Sequence, residues 1–210
     1  MKKIAILTVV VVALLPLTAG AIPTARLDSL GYGGFYGGYF AGEYNLTVVG
    51  IPGITKITTF CVEIQEHISI GKWYDAELND KAIGGGVGLE GDPISGATAA
   101  LYHDYLAGDF NPMNDSTAKL LGKTFWSLEG EIPIPISGSE KAAYDSALAG
   151  AWADIRGVGV LNLYALGSNH SCPENWRQDM LVELPIPAPG AFLLASLGCL
   201  VLARVRRAWQ

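Results

Sequence analysis

Cys61 is one of only three cysteines among the 210 residues, and its thiol could act as a nucleophile if one of the three histidines supplied a base. The nearest imidazole in the sequence belongs to His67, six residues later, while His103 and His170 lie far along the chain. A thiol nucleophile needs a base within hydrogen-bonding reach, and nothing in this spacing provides one. The pattern argues against a cysteine hydrolase, and we expect no catalytic residues and no enzyme.

Two groups of oxygen-bearing side chains suggest other chemistry. Residues 109–115 place four of them in one loop, as calcium binding requires, but without the central glycine and closing glutamate of an EF-hand. Glu129 and Glu131 resemble paired glycosidase acids, which would need a cleft that raises the pKa of one carboxyl. We interpret the loop as a solvated segment leading to a helix capped by Ser116, and both glutamates as structural. No metal and no cofactor is predicted.

The N-terminus has the pattern of a secretory signal peptide. Lys2 and Lys3 precede an apolar run over residues 4–17, and the small residues Ala19 and Ala21 follow it. We expect the Sec translocon to export the chain and signal peptidase to cleave after Ala21, so that residues 1–21 form the leader. The alternative is a membrane anchor, but 14 apolar residues are fewer than the roughly 20 that span a bilayer.

The C-terminus predicts a single transmembrane helix. Residues 187–203 carry no charge and, as a helix, would measure about 25 Å, close to the lower limit for spanning a bilayer. Arg204, Arg206 and Arg207 follow, and such a basic cluster stays on the cytoplasmic side. A buried core helix is the alternative, although it would rarely follow a proline-rich break and end in three arginines.

The order of a proline-glycine motif, an apolar helix and terminal arginines resembles the PEP-CTERM protein-sorting domain of Gram-negative bacteria. The likeness covers about the last 25 residues, and Ala188 stands where that family usually has glutamate. It implies that residues 185–210 are a sorting signal, cleaved by an exosortase-type membrane transpeptidase. The residues lying over the motif are Ile186, Pro187, Ala188, Pro189 and Gly190.

Residues 22–184 remain as one exported domain, long enough for a core of its own. They contain nine Lys and Arg against 20 Asp and Glu, a formal charge of −11. This acidity repels nucleic acid, which is excluded as a partner. Cys61 and Cys172 are its two thiols, since Cys199 lies in the apolar tail. In an oxidising compartment they are a candidate disulfide, with free thiols as the alternative.

Within this domain the residue pattern predicts strands at both ends around a helical insert. In the clearest strand, Phe60, Val62 and Ile64 lie on one face and Cys61 and Glu63 on the other. The predicted strands cover residues 31–40, 44–49, 58–64, 68–74, 158–164 and 178–184. The predicted helices cover residues 97–105, 116–126 and 139–155, the last with Ala143, Leu148 and Trp152 inward. The fold class is mainly β, sandwich-like, with two or three helices.

The segments 60–63, 92–102, 125–131 and 160–164 resemble exported PEP-CTERM proteins and, more distantly, the thioester domains of Gram-positive surface adhesins. In those domains a cysteine is crosslinked to a glutamine four residues before a tryptophan. Cys61 matches the cysteine, but Gly122 occupies the glutamine position before Trp126. The resemblance therefore implies the scaffold without the crosslink.

We expect an exported structural protein of the cell surface or extracellular matrix, anchored first in the inner membrane by its tail. The aromatic-rich segment 32–44 favours an adhesion or glycan-binding module as the alternative. A secreted hydrolase that uses Glu129 and Glu131 is the remaining alternative.

Overall fold

The computed structural model describes residues 21–83, 91–135 and 137–184. Ala21 is the first described residue, whereas Ala19 of the predicted cleavage site lies outside them. The predicted sorting motif and basic cluster also lie outside the described residues: Ile186, Pro187, Ala188, Pro189, Gly190, Arg204, Arg206 and Arg207. No helix within the described ranges is long and apolar enough to cross a membrane.

The described residues form eight strands, three α-helices and one turn of 3-10 helix at Pro173–Asn175. The helices are α1 (Gly96–Ala107), α2 (Asp115–Leu128) and α3 (Gly138–Ala149). The strands are β1 (Thr24–Tyr36), β2 (Tyr39–Val49), β3 (Lys56–Thr59), β4 (Trp73–Asn79), β5 (Lys81–Ala82), β6 (Asp92–Pro93), β7 (Val158–Ala165) and β8 (Trp176–Glu183). The mainly β architecture with a helical insert is thus confirmed.

Six of the described strands form one antiparallel sheet in the order β3-β2-β1-β4-β7-β8, and β5 pairs with β6 separately. The outer strands meet through the residues after β3. Val62 N–H donates to the carbonyl oxygen of Asp179, and Leu181 N–H donates to that of Phe60, each over 3.0 Å. The sheet therefore closes on itself. The sandwich-like arrangement was wrong, because the stretch that pairs with β2 continues directly into pairing with β8.

Side chains of residues 60–63 alternate between two hydrophobic cores, as the sequence predicts. Phe60 and Val62 lie in the core shared with the helices, together with Tyr102, Leu121, Phe125 and Leu181. Cys61 lies in the other core, with Leu27, Leu46, Trp126 and Met180. Ile64 packs against the core of Cys61 rather than that of Phe60, because the extended backbone ends before it.

The helices begin and end at other residues than the pattern predicts. The side chain of Asn114, not that of Ser116, caps α2 by accepting the Thr117 N–H over 3.0 Å. Helix α3 ends at Ala149, short of the predicted residue 155, and Gly150 follows as its C-cap. Leu148 was predicted to face inward but is 48% exposed, because only part of α3 is covered by its neighbours.

Candidate functional site

An open cleft of about 350 Å³ lies at the β1–β2 hairpin and the loop that follows β3. The loop occupies residues that were predicted as a strand from 68 to 74. Strand β4 begins only at Trp73. It is preceded by a turn in which the Lys72 N–H donates a hydrogen bond to the carbonyl oxygen of Ser69 over 3.2 Å. The residues that line the cleft and matter below are Tyr39, Phe40, Cys61, Glu63, Glu66, His67, Trp126 and Gln178.

Aromatic rings of the hairpin form one wall of this cleft. The ring of Phe40 makes edge contacts with Phe35 and Tyr44, at centroid distances of 5.8 and 5.6 Å. The Tyr44 hydroxyl donates to the Phe40 carbonyl oxygen over 2.9 Å. The ring of Tyr39 lies 5.6 Å from the imidazole of His67. Such edge and tilted contacts fix ring orientation, so the wall is preformed.

Three carboxylates come together beside the wall. Glu63 follows β3, Glu66 lies in the loop, and Asp179 is on β8. One oxygen from each lies within 4.8 Å of the others, and we call these residues the acidic cluster. Glu63 and Asp179 are each 2% exposed, and Glu66 is half-buried. Closure of the sheet brings them together, because it pairs the Glu63 segment with β8.

The members of the acidic cluster differ in their hydrogen bonds. Asp179 accepts the Ile83 N–H and the Asn162 side-chain amide, each over 2.7 Å. Neither carboxylate oxygen of Glu63 receives a hydrogen bond from an N–H or hydroxyl group among the described residues, and the same holds for Oε2 of Glu66. Asp179 is therefore fixed by backbone and amide donors, whereas the hydrogen-bonding contact of Glu63 is with the carboxyl of Glu66.

Burial and mutual repulsion determine the electrostatics of the acidic cluster. Burial, followed by the charges of Asp179, Glu66 and Glu131, raises the pKa of Glu63 far above its usual value. Burial and then the Asp179 charge also raise the pKa of Glu66. Desolvation and nearby like charges both favour the protonated carboxyl. Without a cation, burial and like charge therefore both favour proton uptake by the pair Glu63 and Glu66.

Cys61 lies in the cleft lining as a buried thiol. Its sulfur is 3.7 Å from the hydroxyl of Tyr44, and burial raises the pKa of the thiol to about 12. A thiol is nucleophilic as the thiolate, so this environment disfavours attack by sulfur. The imidazole Nδ1 of His67 lies 2.9 Å from the carbonyl oxygen of Glu66, and no hydrogen bond joins it to Cys61 within the described ranges.

The position that matches the thioester glutamine has no room for a side chain. A Cβ added at Gly122 would lie 2.9 Å from the backbone nitrogen of Gly42, because α2 packs directly on β2. The glutamine that does line the cleft is Gln178, whose amide donates to the carbonyl oxygen of Glu63 over 2.6 Å. Gln178 thereby supports the backbone of the acidic cluster.

Glu129 and Glu131 serve separate contacts. Glu129 accepts the N–H and hydroxyl of Ser95 over 3.2 and 3.0 Å, as well as the hydroxyl of Thr98, and so ties the start of α1 to the end of α2. Glu131 accepts the N–H of Ile64 over 3.3 Å. The cavity that both glutamates line measures about 10 Å³, roughly the space of one water molecule.

The loop over residues 109–115 joins the helices to the hairpin. Asn114 caps α2, and Asp115 accepts the N–H of Gly33 over 3.1 Å. Asn114 and Asp115, which the sequence suggested as calcium ligands, thus make hydrogen bonds within the fold.

Cys61 and Cys172, the candidate disulfide, are both free thiols in the structure. Cys61 bridges to Met180 on β8, whereas Cys172 precedes the first residue of that strand, Trp176. Cys61 thus lies beside the middle of β8, whereas Cys172 lies outside that strand.

Sequence reasoning missed Glu66, Gln178 and Asp179. The available signal was the pair Gln178 and Asp179 at the start of a predicted closing strand that is otherwise largely apolar. Adjacent polar residues on a strand point to opposite faces, and both of these are buried. Such a pair indicates specific polar partners, but it does not identify them.

Comparison with known proteins gives a match to part of the chain. The chain is 33% identical over 92 residues to UDP-N-acetylglucosamine--N-acetylmuramyl-(pentapeptide) pyrophosphoryl-undecaprenol N-acetylglucosamine transferase from Corynebacterium efficiens. The matched segment makes up 42% of this chain. The chain spans 26%, about a quarter, of that relative's length. No family model matches the chain, and no solved structure matches it.

Proposed function

We propose that this protein is an exported structural component of the cell surface or extracellular matrix, delivered by its leader and sorted by its tail. The observation that carries the proposal is the order of three features at the C-terminus: a Pro-Ala-Pro-Gly motif, an uncharged run over residues 187–203, and a cluster of three arginines. The helix would halt translocation, and the arginines would remain on the cytoplasmic side.

In this proposal the partners are the Sec translocon, signal peptidase and an exosortase-type transpeptidase. The segment from Ile186 to Gly190 would present an extended, proline-stiffened substrate at the outer face of the inner membrane. Cleavage there would pass the acidic domain to the surface or matrix. The closed sheet and its two hydrophobic cores make the exported domain a compact module, which supports a structural role. The proposal assigns this domain no catalytic role.

Fractionation of cells tests the sorting step. Replacing Arg204, Arg206 and Arg207 with Gln removes the basic cluster, and the variant is expected to leave the membrane fraction. A matched control replaces three exposed cations of the domain, Lys56, Lys72 and Arg156, with Gln. If the uncleaved form of both variants remains with the membrane, as that of the unaltered protein does, the proposed role of the tail is wrong.

A second candidate function is adhesion through a glycan. It is favoured by the cleft, where the rings of Tyr39 and Phe40 stand near Glu63 and Glu66. Sugar rings stack on aromatic faces, and carboxylates accept hydrogen bonds from hydroxyl groups. A glycan-array screen with Tyr39→Ala tests this function, and Tyr32→Ala, a change outside the cleft at a ring that is 51% exposed, is the control. Equal binding by both variants would reject the cleft as the glycan site.

A further inference from the structure

The acidic cluster has the dimensions of a cation site. Calcium binds oxygen ligands at about 2.3–2.6 Å, so two oxygens on one ion lie at most about 4.6–5.2 Å apart. The three oxygens of Glu63, Glu66 and Asp179 lie within 4.8 Å of one another. One ion can therefore contact all three without movement of the backbone.

The burial of Glu63 is a second observation that points to a ligand. Its side chain is 2% exposed, it lines the cleft, and both its oxygens are without a donor among the described N–H and hydroxyl groups. A buried carboxylate without hydrogen-bond donors is costly unless a proton or a cation neutralises it. A single proton neutralises one carboxylate, whereas a divalent cation offsets the charge of several.

The framework around the acidic cluster keeps its ligand atoms in place. Asp179 is held by Ile83 N–H and the amide of Asn162. Gln178 holds the carbonyl of Glu63, and the segment is joined to β8 by the bond from Val62 to Asp179. Glu66 is the partly exposed member of the three, so it can close on an ion that arrives through the cleft.

We propose that Glu63, Glu66 and Asp179 bind a calcium ion beside the aromatic wall of the cleft. The ligand set is all oxygen, which suits calcium, magnesium or manganese better than zinc or copper. Calcium is favoured among these because it accepts irregular geometry and takes its remaining ligands from water, which the open cleft admits. This inference goes beyond the proposed function, since calcium binding requires neither export nor a glycan.

Calorimetric titration tests the site. The full chain is purified in detergent, freed of metal with a chelator, and titrated with calcium chloride. We expect tight binding of one calcium ion per chain and a melting temperature higher than that of the metal-free protein. Terbium should bind at the same place and luminesce when tryptophan is excited, because Trp126 lines the same cleft.

Glu66→Gln is the decisive variant, because Glu66 lies in a loop and the amide preserves its shape. It should weaken calcium binding by roughly tenfold or more, and Glu63→Gln should do the same. Glu174→Gln, the same change at an exposed residue of the 3-10 turn, should bind calcium as the unaltered chain does. The inference is overturned if the unaltered chain shows no tight site, or if folded Glu66→Gln binds calcium as Glu174→Gln does.

Discussion

The backbone N–H of Val62 donates to the carbonyl oxygen of Asp179 over 3.0 Å. Val62 lies in the core shared with the helices, and the chain bends at this residue. One carboxylate oxygen of Glu63, the next residue, lies within 4.8 Å of a carboxylate oxygen of Asp179. The acidic cluster is thus a direct consequence of the closure of the sheet.

Metal-free protein should lose stability as the pH rises. The pKa of Glu66 is raised from 4.5 to about 8, first by burial and then by the charge of Asp179. The native state therefore binds more protons than the unfolded state between these values, and its stability falls with pH across that window.

Urea unfolding with a chelator at pH 5 and pH 8.5 measures this dependence. We expect the free energy of unfolding to fall by at least about 1 kcal/mol, the equivalent of roughly one pKa unit. Because general charge repulsion in this acidic chain acts in the same direction, Glu66→Gln is the comparison, and it should reduce the slope. An unchanged slope in that variant would contradict the role of Glu66.

Gly122→Ala should destabilise the protein. A Cβ at this position would lie 2.9 Å from the backbone nitrogen of Gly42, and overpacking of this kind costs about 1–3 kcal/mol. In a loosely packed helix the same change would instead stabilise by up to about 1 kcal/mol through helix propensity. The sign of the change in unfolding free energy therefore decides whether α2 contacts β2 as described.

Asn114→Ala should cost about 0.5–2 kcal/mol, because it removes the side chain that caps α2. Ser116→Ala is the matched control, since Ser116 is exposed and lies within the first turn. That control should change the unfolding free energy by less than about 0.5 kcal/mol. Thermal or urea unfolding measures both variants. A larger loss of unfolding free energy in Ser116→Ala than in Asn114→Ala would show that Ser116, and not Asn114, caps α2.

Thiol labelling should separate the two cysteines of the domain. Cys61 is 3% exposed and its thiol has a raised pKa, whereas Cys172 is half-buried. An alkylating reagent should modify Cys172 in the folded protein and Cys61 only after unfolding, as peptide mass mapping reports. A peptide that joins Cys61 to Cys172 in a non-reduced digest would show that the thiols are paired after all.

Much of the secondary structure follows from local pattern. Alternation placed Phe60 and Val62 opposite Cys61, and helix-forming segments identified all three described helices. Closure of the sheet was not predictable in this way, because it pairs residues 60–62 with residues 179–181, more than 100 positions later. The acidic cluster depends on that pairing, so local pattern did not bring Glu63, Glu66 and Asp179 together.

The loop before β4 shows a second limit of local pattern. Residues 68–74 are rich enough in apolar side chains to predict a strand, yet several of them face the cleft or solvent. Ser69 N–H donates to the hydroxyl of Tyr74 over 2.7 Å, and Gly71 N–H to the carbonyl oxygen of Leu27 over 2.7 Å. These tertiary bonds bend the chain where propensity alone favours an extended strand.

Intact-mass spectrometry of the protein recovered from its own cell envelope tests the central proposal most directly, because it reports both ends of the chain at once. The proposal predicts a mature form that begins at Ile22 and ends near the segment from Ile186 to Gly190. A cytosolic product that retains Met1 and Gln210, with no processed form in the envelope, would contradict it.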